Sequence, residues 1–84
     1  MEVSVSSRFL RRAKKLKEPR APMLRAALRR FATDPQDPIL RTHKLKGELT
    51  DYWAFSVGDD LRVIFRWEGD KVFLANLGSH DEVH

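Results

Sequence analysis

The stretch from Trp53 to Trp67 reads WAFSVGDDLRVIFRW and decides the fold. On both sides of residues 58–60 the apolar side chains recur with a period of two, which is typical of β-strands that bury one face. A loop with an odd number of residues keeps the apolar side chains of both strands on the same face, whereas an even loop would turn one set outward. The pattern therefore predicts a hairpin with a three-residue loop, in which Arg62 lies beside Ser56 on the opposite face.

The chain continues with a second hairpin. Residues 68–71 read EGDK, which predicts a two-residue Gly-Asp loop followed by a strand over 71–77. In this register Asn76 would fall on the apolar face. A β-bulge near Asn76 or Gly78 would remove that conflict.

The residues before the hairpins predict one strand and two helices. Val3 and Val5 alternate with polar residues as in a short strand. Helical spacing of apolar residues predicts a first helix over about 7–17, and Pro19 prevents its continuation. A second helix begins near Pro22, which suits a first helical turn, so the two helices form a hairpin.

This order of elements predicts an α+β fold: an N-terminal strand, a two-helix hairpin and an antiparallel meander of three or four strands, in a single domain over residues 1–84. The helices should cover one face of the sheet and leave the face with Tyr52, Ser56, Arg62 and Arg66 open. We expect one shared core of ten residues: Leu10, Leu16, Leu24, Leu28, Phe31, Trp53, Phe55, Val63, Phe65 and Trp67.

Composition excludes several classes of protein. The 84 residues are 42% hydrophobic and 33% charged, which is typical of a globular chain rather than a disordered one. There is no cysteine, so there is neither a disulfide framework nor a thiolate site for zinc. Neither a signal peptide nor a membrane-spanning segment is recognisable. We expect a soluble, cytoplasmic protein with no membrane association.

The charge is distributed unevenly along the chain. Residues 1–46 hold thirteen basic and four acidic side chains, whereas residues 47–84 hold three basic and eight acidic ones. A basic half suits a polyanion such as RNA, DNA or an anionic membrane surface, or an acidic protein partner. The alternative is a solvated helix face that only keeps the protein in solution.

Few residues can carry chemistry. The sequence has no P-loop, no dinucleotide-binding glycine motif and no nucleophile elbow. His80 and His84 would share a metal only in a helix, which Gly78 and the chain end disfavour, so we expect no metal and no cofactor. Acid–base chemistry fits better, since a histidine can transfer protons and an arginine can hold a phosphate. The candidates are His43, Asp60, Arg62 and His80, provided that the strand ends meet at one edge of the sheet.

The chain resembles the RelE/ParE superfamily of type II toxin–antitoxin toxins over nearly its full length. Four segments carry the resemblance: HKLKGEL at 43–49, YWAF at 52–55, LRVIF at 61–65 and LGSH at 77–80. The histidine after Gly-Ser is most similar to that of the YafQ-like mRNA interferases. The resemblance implies a small toxin that cleaves messenger RNA on the ribosome, is neutralised by a cognate antitoxin, and exists as a monomer or as a toxin–antitoxin hetero-oligomer.

The catalytic pattern of these relatives carries over in part. His43, Asp60 and His80 match family residues, whereas three positions depart: Ser56 replaces a second central histidine, Leu61 a tryptophan and His84 the last aromatic residue. The resemblance implies that the 2′-hydroxyl of the RNA attacks the adjacent phosphate, with His80 as general acid, His43 or Asp60 as base and Arg62 as charge stabiliser. The expected RNA-binding residues are Arg11, Arg12, Lys15, Lys44, Lys46, Tyr52 and Arg66.

Two other functions remain open from the sequence. The first is a ParE-like inhibitor of DNA gyrase that acts by binding alone. The second is an RNA-binding module or an inactive family member. A small antitoxin gene next to this one would favour either toxin over an RNA-binding module.

Overall fold

A five-stranded sheet with two helices packed on it forms the framework of the molecule. The computed structural model describes residues 1–83 and has the expected α+β order. The elements are β1 (Glu2–Val5), α1 (Ser7–Lys14), α2 (Arg20–Thr33), β2 (His43–Lys44), β3 (Trp53–Val57), β4 (Leu61–Glu68), β5 (Lys71–Ser79) and α3 (His80–Val83). Short 3₁₀ turns at Pro38–Leu40 and Gly47–Leu49 flank β2.

The sheet has the strand order β1-β5-β4-β3-β2. Strands β2 to β5 form the expected antiparallel meander, and the register predicted for its first hairpin is confirmed: Trp53 lies opposite Phe65, and Ser56 opposite Arg62. Gly58 opens the three-residue loop with a φ of +64°, a conformation that favours glycine. Strand β1 pairs in parallel with β5, so the sheet is mixed.

The expected β-bulge lies in β5. Ile64 is opposite Asn76, whereas the next residue of β4, Phe65, is opposite Leu74, so Ala75 is the extra residue. The bulge reverses the alternation of side chains, which returns Leu77 to the main core and turns Asn76 to the opposite face.

The two helices differ from their expected bounds at the connection between them. Helix α1 ends at Lys14 rather than near residue 17, because i→i−3 hydrogen bonds from Lys15 and Leu16 tighten its last turn. Helix α2 begins at Arg20, which places Pro22 in its first turn as expected. No helix within residues 1–83 is long and apolar enough to cross a membrane.

The main core lies between the sheet and the helices. Nine of the ten expected residues are buried in it or pack against it. Leu10 is the exception: its side chain is 44% exposed, and Phe9, 3% exposed, occupies the core. Helix α1 presents only a narrow stripe to the sheet, and successive helical residues point about 100° apart, so only one of these two neighbours can face inward.

The opposite face of the sheet is less open than expected. Leu45, Ala54, Ile64 and Val83 form a second buried cluster, against which Leu49 and Tyr52 pack. The connection between β2 and β3 and the C-terminal helix α3 fold over this face because Ala54 and Ile64 make it apolar. Coverage stops short of Arg62, which remains half-buried at the end of the sheet where α3 begins.

Candidate active site

A hydrogen-bonded group of three side chains lies where β3, β4 and α3 meet. The guanidinium of Arg62 donates through Nη1 to Ser56 Oγ at 2.9 Å and through Nε to His80 Nδ1 at 3.2 Å. Ser56 is the one polar residue fully buried among residues 1–83, with 6% of its surface exposed. It therefore anchors the arginine from beneath, while His80 holds the same guanidinium from the side.

His80 is positioned by the short helix α3, which we did not expect from Gly78 and the chain end. Ser79 and Glu82 form a capping box: the Ser79 N–H donates to Glu82 Oε1 at 2.8 Å, and the Glu82 N–H donates to Ser79 Oγ at 3.3 Å. The pKa of Glu82 is lowered mainly by the hydrogen bond that its carboxylate accepts from the Ser79 backbone, and next by a hydrogen bond with the Ser79 hydroxyl. The positive charges of Arg12 and Arg20 lower this pKa further. The capped turn fixes the start of α3 and hence the direction of His80.

Gly78 lets these parts approach one another. It lies opposite Arg62 in the sheet, and a Cβ at this position would be 3.0 Å from Arg12 Nη1 and from Val83 Cγ1. A larger residue would therefore push α1 or α3 away from β5.

His43 lies on the same face of the sheet but does not contact this group. It is opposite Ala54 at the exposed edge strand β2, and its Nδ1 is 2.8 Å from the carbonyl oxygen of Arg41. His43 is level with Ile64 across β3, and Arg62 is two residues further along β4, so the backbones of His43 and Arg62 stand about 12 Å apart.

The two histidines hold their protons on different nitrogens. A carbonyl oxygen only accepts, so Nδ1 of His43 carries a proton and its Nε2 is free to accept one in the neutral ring. A guanidinium only donates, so Nδ1 of His80 accepts from Arg62 and the proton of the neutral ring is on Nε2. In the neutral rings, Nε2 of His43 can therefore accept a proton, while Nε2 of His80 carries one.

The side chain of Asp60 does not join this group. Its carboxylate pairs with Arg20 at the start of α2, on the helix side of the loop between β3 and β4. This arrangement joins the loop to the helices. Within residues 1–83 no three side chains of the metal-ligating types cluster together, and His84 lies outside the described residues.

The expected RNA-binding residues other than Arg12 fall into three groups. Arg11, Lys15 and Lys46 are exposed, as expected for phosphate contacts. Tyr52 is half-buried against the second cluster. Arg66 forms an ion pair with Glu68, with 3.7 Å between Nη2 and Oε2. Lys44 is opposite Trp53 and so lies on the face that the helices cover, away from Arg62.

Arg12, the remaining expected RNA-binding residue, is bound within the fold instead. Its Nη1 donates to the Leu77 carbonyl at 2.9 Å and to Asn76 Oδ1 at 3.2 Å, and the side chain is half-buried. Strand β1 covers only the first half of the β5 edge, and α1 lies along the rest of it. Arg12 of α1 donates there to the Leu77 carbonyl, which β1 leaves without a partner.

The interpretation from sequence missed the residues that support His80 and Arg62. Ser79 followed three residues later by Glu82 is the sequence signature of a capping box, and this signature would have predicted the start of α3. The pairing of Ser56 with Arg62 follows from the register, but its anchoring role depends on the burial of Ser56, which the local pattern does not give.

Comparison with known proteins agrees with this architecture. The family model described as a bacterial toxin of type II toxin–antitoxin system, YafQ, matches residues 1–84. The sequence finds no match among curated proteins.

Solved structures of low sequence identity share the fold. YafQ from E. coli matches with a TM-score of 0.79 at 15% identity, covering 98% of this chain and 96% of that one. A YoeB/ParE toxin from Agrobacterium tumefaciens matches with a TM-score of 0.77 at 14% identity, covering 95% and 99%. The E. coli DinJ-YafQ complex matches with a TM-score of 0.67 at 17% identity, covering 98% and 96%. Because the family model spans all 84 residues, this chain belongs to the YafQ family of bacterial toxins of type II toxin–antitoxin systems.

Proposed function

We propose that this toxin is a ribosome-dependent endoribonuclease that cleaves messenger RNA without a metal ion. The contact between Arg62 and His80 carries the proposal, because it joins a permanent positive charge to a group that transfers protons near neutral pH. A binding-only inhibitor has no need for this pair.

Cleavage would follow the chemistry of RNA itself. A base removes the proton of the 2′-hydroxyl, the 2′-oxygen bonds to the adjacent phosphorus, and the bond from phosphorus to the 5′-oxygen breaks. An acid protonates the leaving 5′-oxygen, so the products are a 2′,3′-cyclic phosphate and a 5′-hydroxyl. No water or redox partner is consumed.

The roles follow from the positions of these side chains. His80 acts as the acid in its imidazolium form and donates the proton from Nε2; Nδ1 of the imidazolium also carries a proton, so the hydrogen bond from Arg62 Nε opens in this form. Arg62 stabilises the extra negative charge on the phosphate in the transition state, and Ser56 keeps the guanidinium in place. His43 is favoured over Asp60 as the base, because the Asp60 carboxylate is paired with Arg20.

The toxin would act in the cytoplasm, where its exposed cations would bind the RNA and the ribosome. Arg11, Lys15 and Lys46 suit phosphate contacts, which add affinity without sequence preference. A cognate antitoxin would neutralise the toxin. The E. coli YafQ fold neighbour is seen in a complex with DinJ, which supports such a partner.

The test is a comparison of wild type and His80→Ala in cells without antitoxin and in purified translation, with mapping of messenger 5′ ends. General acid–base catalysis contributes roughly 10²- to 10⁴-fold, so cleavage should fall by that order and growth inhibition with it. Arg62→Lys should also lower cleavage because it removes the forked contact, and Arg25→Lys, on an exposed position of α2, is the matched control.

Circular dichroism must show that each variant is folded. Toxicity that persists in His80→Ala, with no messenger cleavage in either strain, would overturn the ribonuclease proposal. DNA damage in both strains would then favour inhibition of gyrase.

A further inference from the structure

A cavity that the proposed reaction does not use lies beside Arg62. Its volume is about 490 Å³, and it opens on the face of the sheet opposite the main core. The N-terminal half of α1, the connection between β2 and β3, and α3 enclose it. Its walls include Arg8, Arg11, Tyr52, Ile64, Asn76 and Val83.

The cavity adjoins the candidate active site through the register of the sheet. Ile64 and Asn76 are opposite one another in its wall, and Arg62 and Gly78 are the opposed pair two residues further along β4 and β5. Two residues of a strand span about 7 Å. Glu82 and Val83 lie over Gly78, so a chain that passes from Arg62 to this cavity crosses the outer side of α3.

The rim of the cavity is strongly basic. Arg8 and Arg11 are three residues apart on α1, so their side chains lie on neighbouring positions of one helix face. Both are exposed, and neither forms an ion pair or a side-chain hydrogen bond within residues 1–83. Two like charges repel in this position, and an anion between them would relieve the repulsion.

The inside of the cavity suits a flat, partly apolar ligand. Ile64 and Val83 are buried and present an apolar wall, while Tyr52 adds a half-buried aromatic ring. Asn76 Oδ1 already accepts from Arg12 Nη1 and from the Leu77 N–H. The amide NH₂ of Asn76 is therefore the part of this side chain that remains for hydrogen bonds to a ligand.

We propose that this cavity binds one nucleotide of single-stranded RNA next to the cleaved phosphate. Arg8 and Arg11 hold its phosphate, the ring of Tyr52 stacks on its base, and Asn76 donates to an acceptor on the base edge. The inference rests on the proposed ribonuclease function and adds a residue set that would select the sequence cleaved.

The binding test uses a labelled hexanucleotide RNA with 2′-O-methyl groups, which cannot be cleaved, and fluorescence anisotropy at several salt concentrations. Replacing both Arg8 and Arg11 with Ala should weaken binding and lower the salt slope by about 0.7, since the two arginines hold one phosphate and each phosphate neutralised on a single strand contributes about 0.7. The matched control replaces Arg25 and Arg29 with Ala, two exposed arginines of α2 outside the cavity. It changes the net charge equally but should keep the slope.

A second variant tests the aromatic contact. Tyr52→Leu keeps an apolar side chain against Ile64 but cannot stack, so affinity should fall roughly 5- to 100-fold at an unchanged salt slope. The sequences cleaved in cells should shift in this variant, because base selection is altered while His80 and Arg62 are retained.

The two proposals fail separately. Equal salt slopes for the cavity variant and its control, or wild-type affinity of Tyr52→Leu, would overturn the nucleotide site even if His80-dependent cleavage is found. Absence of cleavage by wild-type toxin would overturn the ribonuclease proposal. Binding of the uncleavable RNA is measured independently, because that measurement does not require cleavage.

Discussion

At the scale of single residues, Ser56 determines how Arg62 is presented. The resemblance gave this position as a departure, where relatives have a histidine, and the structure gives it a role as the buried acceptor for Nη1 of Arg62. A serine cannot transfer protons near neutral pH, but it can hold a charged donor in one orientation. In the proposed mechanism, Ser56 therefore positions Arg62 and transfers no proton.

Ser56→Ala should lower messenger cleavage on the order of tenfold, because a hydrogen bond to a charged group contributes roughly 1.5–3 kcal/mol and each 1.4 kcal/mol in the barrier is tenfold in rate. The melting temperature should also fall by several degrees, because the same hydrogen bond is lost from the folded state, so cleavage is compared at a temperature where both proteins are folded. The measurement is the cleavage rate in purified translation, with Ser4→Ala on the exposed strand β1 as control. A Ser56→Ala variant that cleaves at the wild-type rate would exclude the anchoring role.

At the scale of elements, the one-turn helix α3 decides where His80 lies. Four residues do not form a stable helix alone, so the capping box of Ser79 and Glu82 and the packing of Val83 must hold it. Val83 belongs to the second cluster, and this cluster thus links the order of α3 to the face of the sheet that holds Arg62.

The order of α3 should depend on pH. Since folding lowers the pKa of Glu82, its contribution is complete above the ordinary glutamate pKa of about 4.3 and is lost as pH falls through the lowered value. NMR chemical shifts of residues 80–83 should report fraying over that acidic range. Glu82→Gln, which still suits a capping box, should flatten the dependence.

Asp81→Asn is the matched control, because Asp81 is an exposed neighbour whose loss removes the same charge. It should leave the titration of α3 as in the wild type. An identical pH profile in wild type and Glu82→Gln would show that another group controls α3.

At the scale of the whole molecule, the core is centred on aromatic rings that join α2 to the sheet. Phe31 stacks on Phe55 with centroids 4.7 Å apart and meets Phe65 edge-on at 5.0 Å. Phe65→Ala should cost about 3–5 kcal/mol, since this side chain is fully buried. Leu10→Ala should change stability by no more than about 0.5 kcal/mol, as is usual for exposed positions. Urea unfolding measures both, and equal losses would contradict the assigned packing of α1.

The charge asymmetry is also a property of the whole molecule. Replacing Arg11 and Lys15 with Glu should weaken ribosome binding and flatten its salt dependence, whereas the same change at Arg25 and Arg29 should do so less. Sedimentation with ribosomes at several salt concentrations measures this. If both pairs of substitutions weaken ribosome binding equally, net charge alone determines the binding.

Arg12→Glu is a separate case from the exposed cations. It removes the hydrogen bonds to β5 and should destabilise the fold by about 2 kcal/mol, whatever its effect on ribosome binding. Urea unfolding should therefore separate this variant from the Arg11 and Lys15 changes, which should unfold as the wild type does.

The sequence by itself determined the pairing of neighbouring segments. The register from Trp53 to Trp67, the Gly-Asp turn and the bulge beside Asn76 all follow from alternation and turn chemistry, which act within about fifteen residues. The helices were found for the same reason, with errors of about three residues where i→i−3 bonds changed the end of α1. The candidate site followed only in part: Arg62 lies beside Ser56 and contacts His80, whereas Asp60 pairs with Arg20 and His43 lies apart on the edge strand.

Only the tertiary structure decided which distant residues meet. Strand β1 lies beside β5, Asp60 turns to Arg20, Arg12 reaches the edge of β5, and His80 folds back onto Arg62. Each of these contacts joins residues from separate elements, and its geometry depends on how apolar faces pack and which backbone groups remain unpaired at the edge of the sheet. Local sequence patterns carry no information on that balance, because the free energy of packing belongs to the whole molecule.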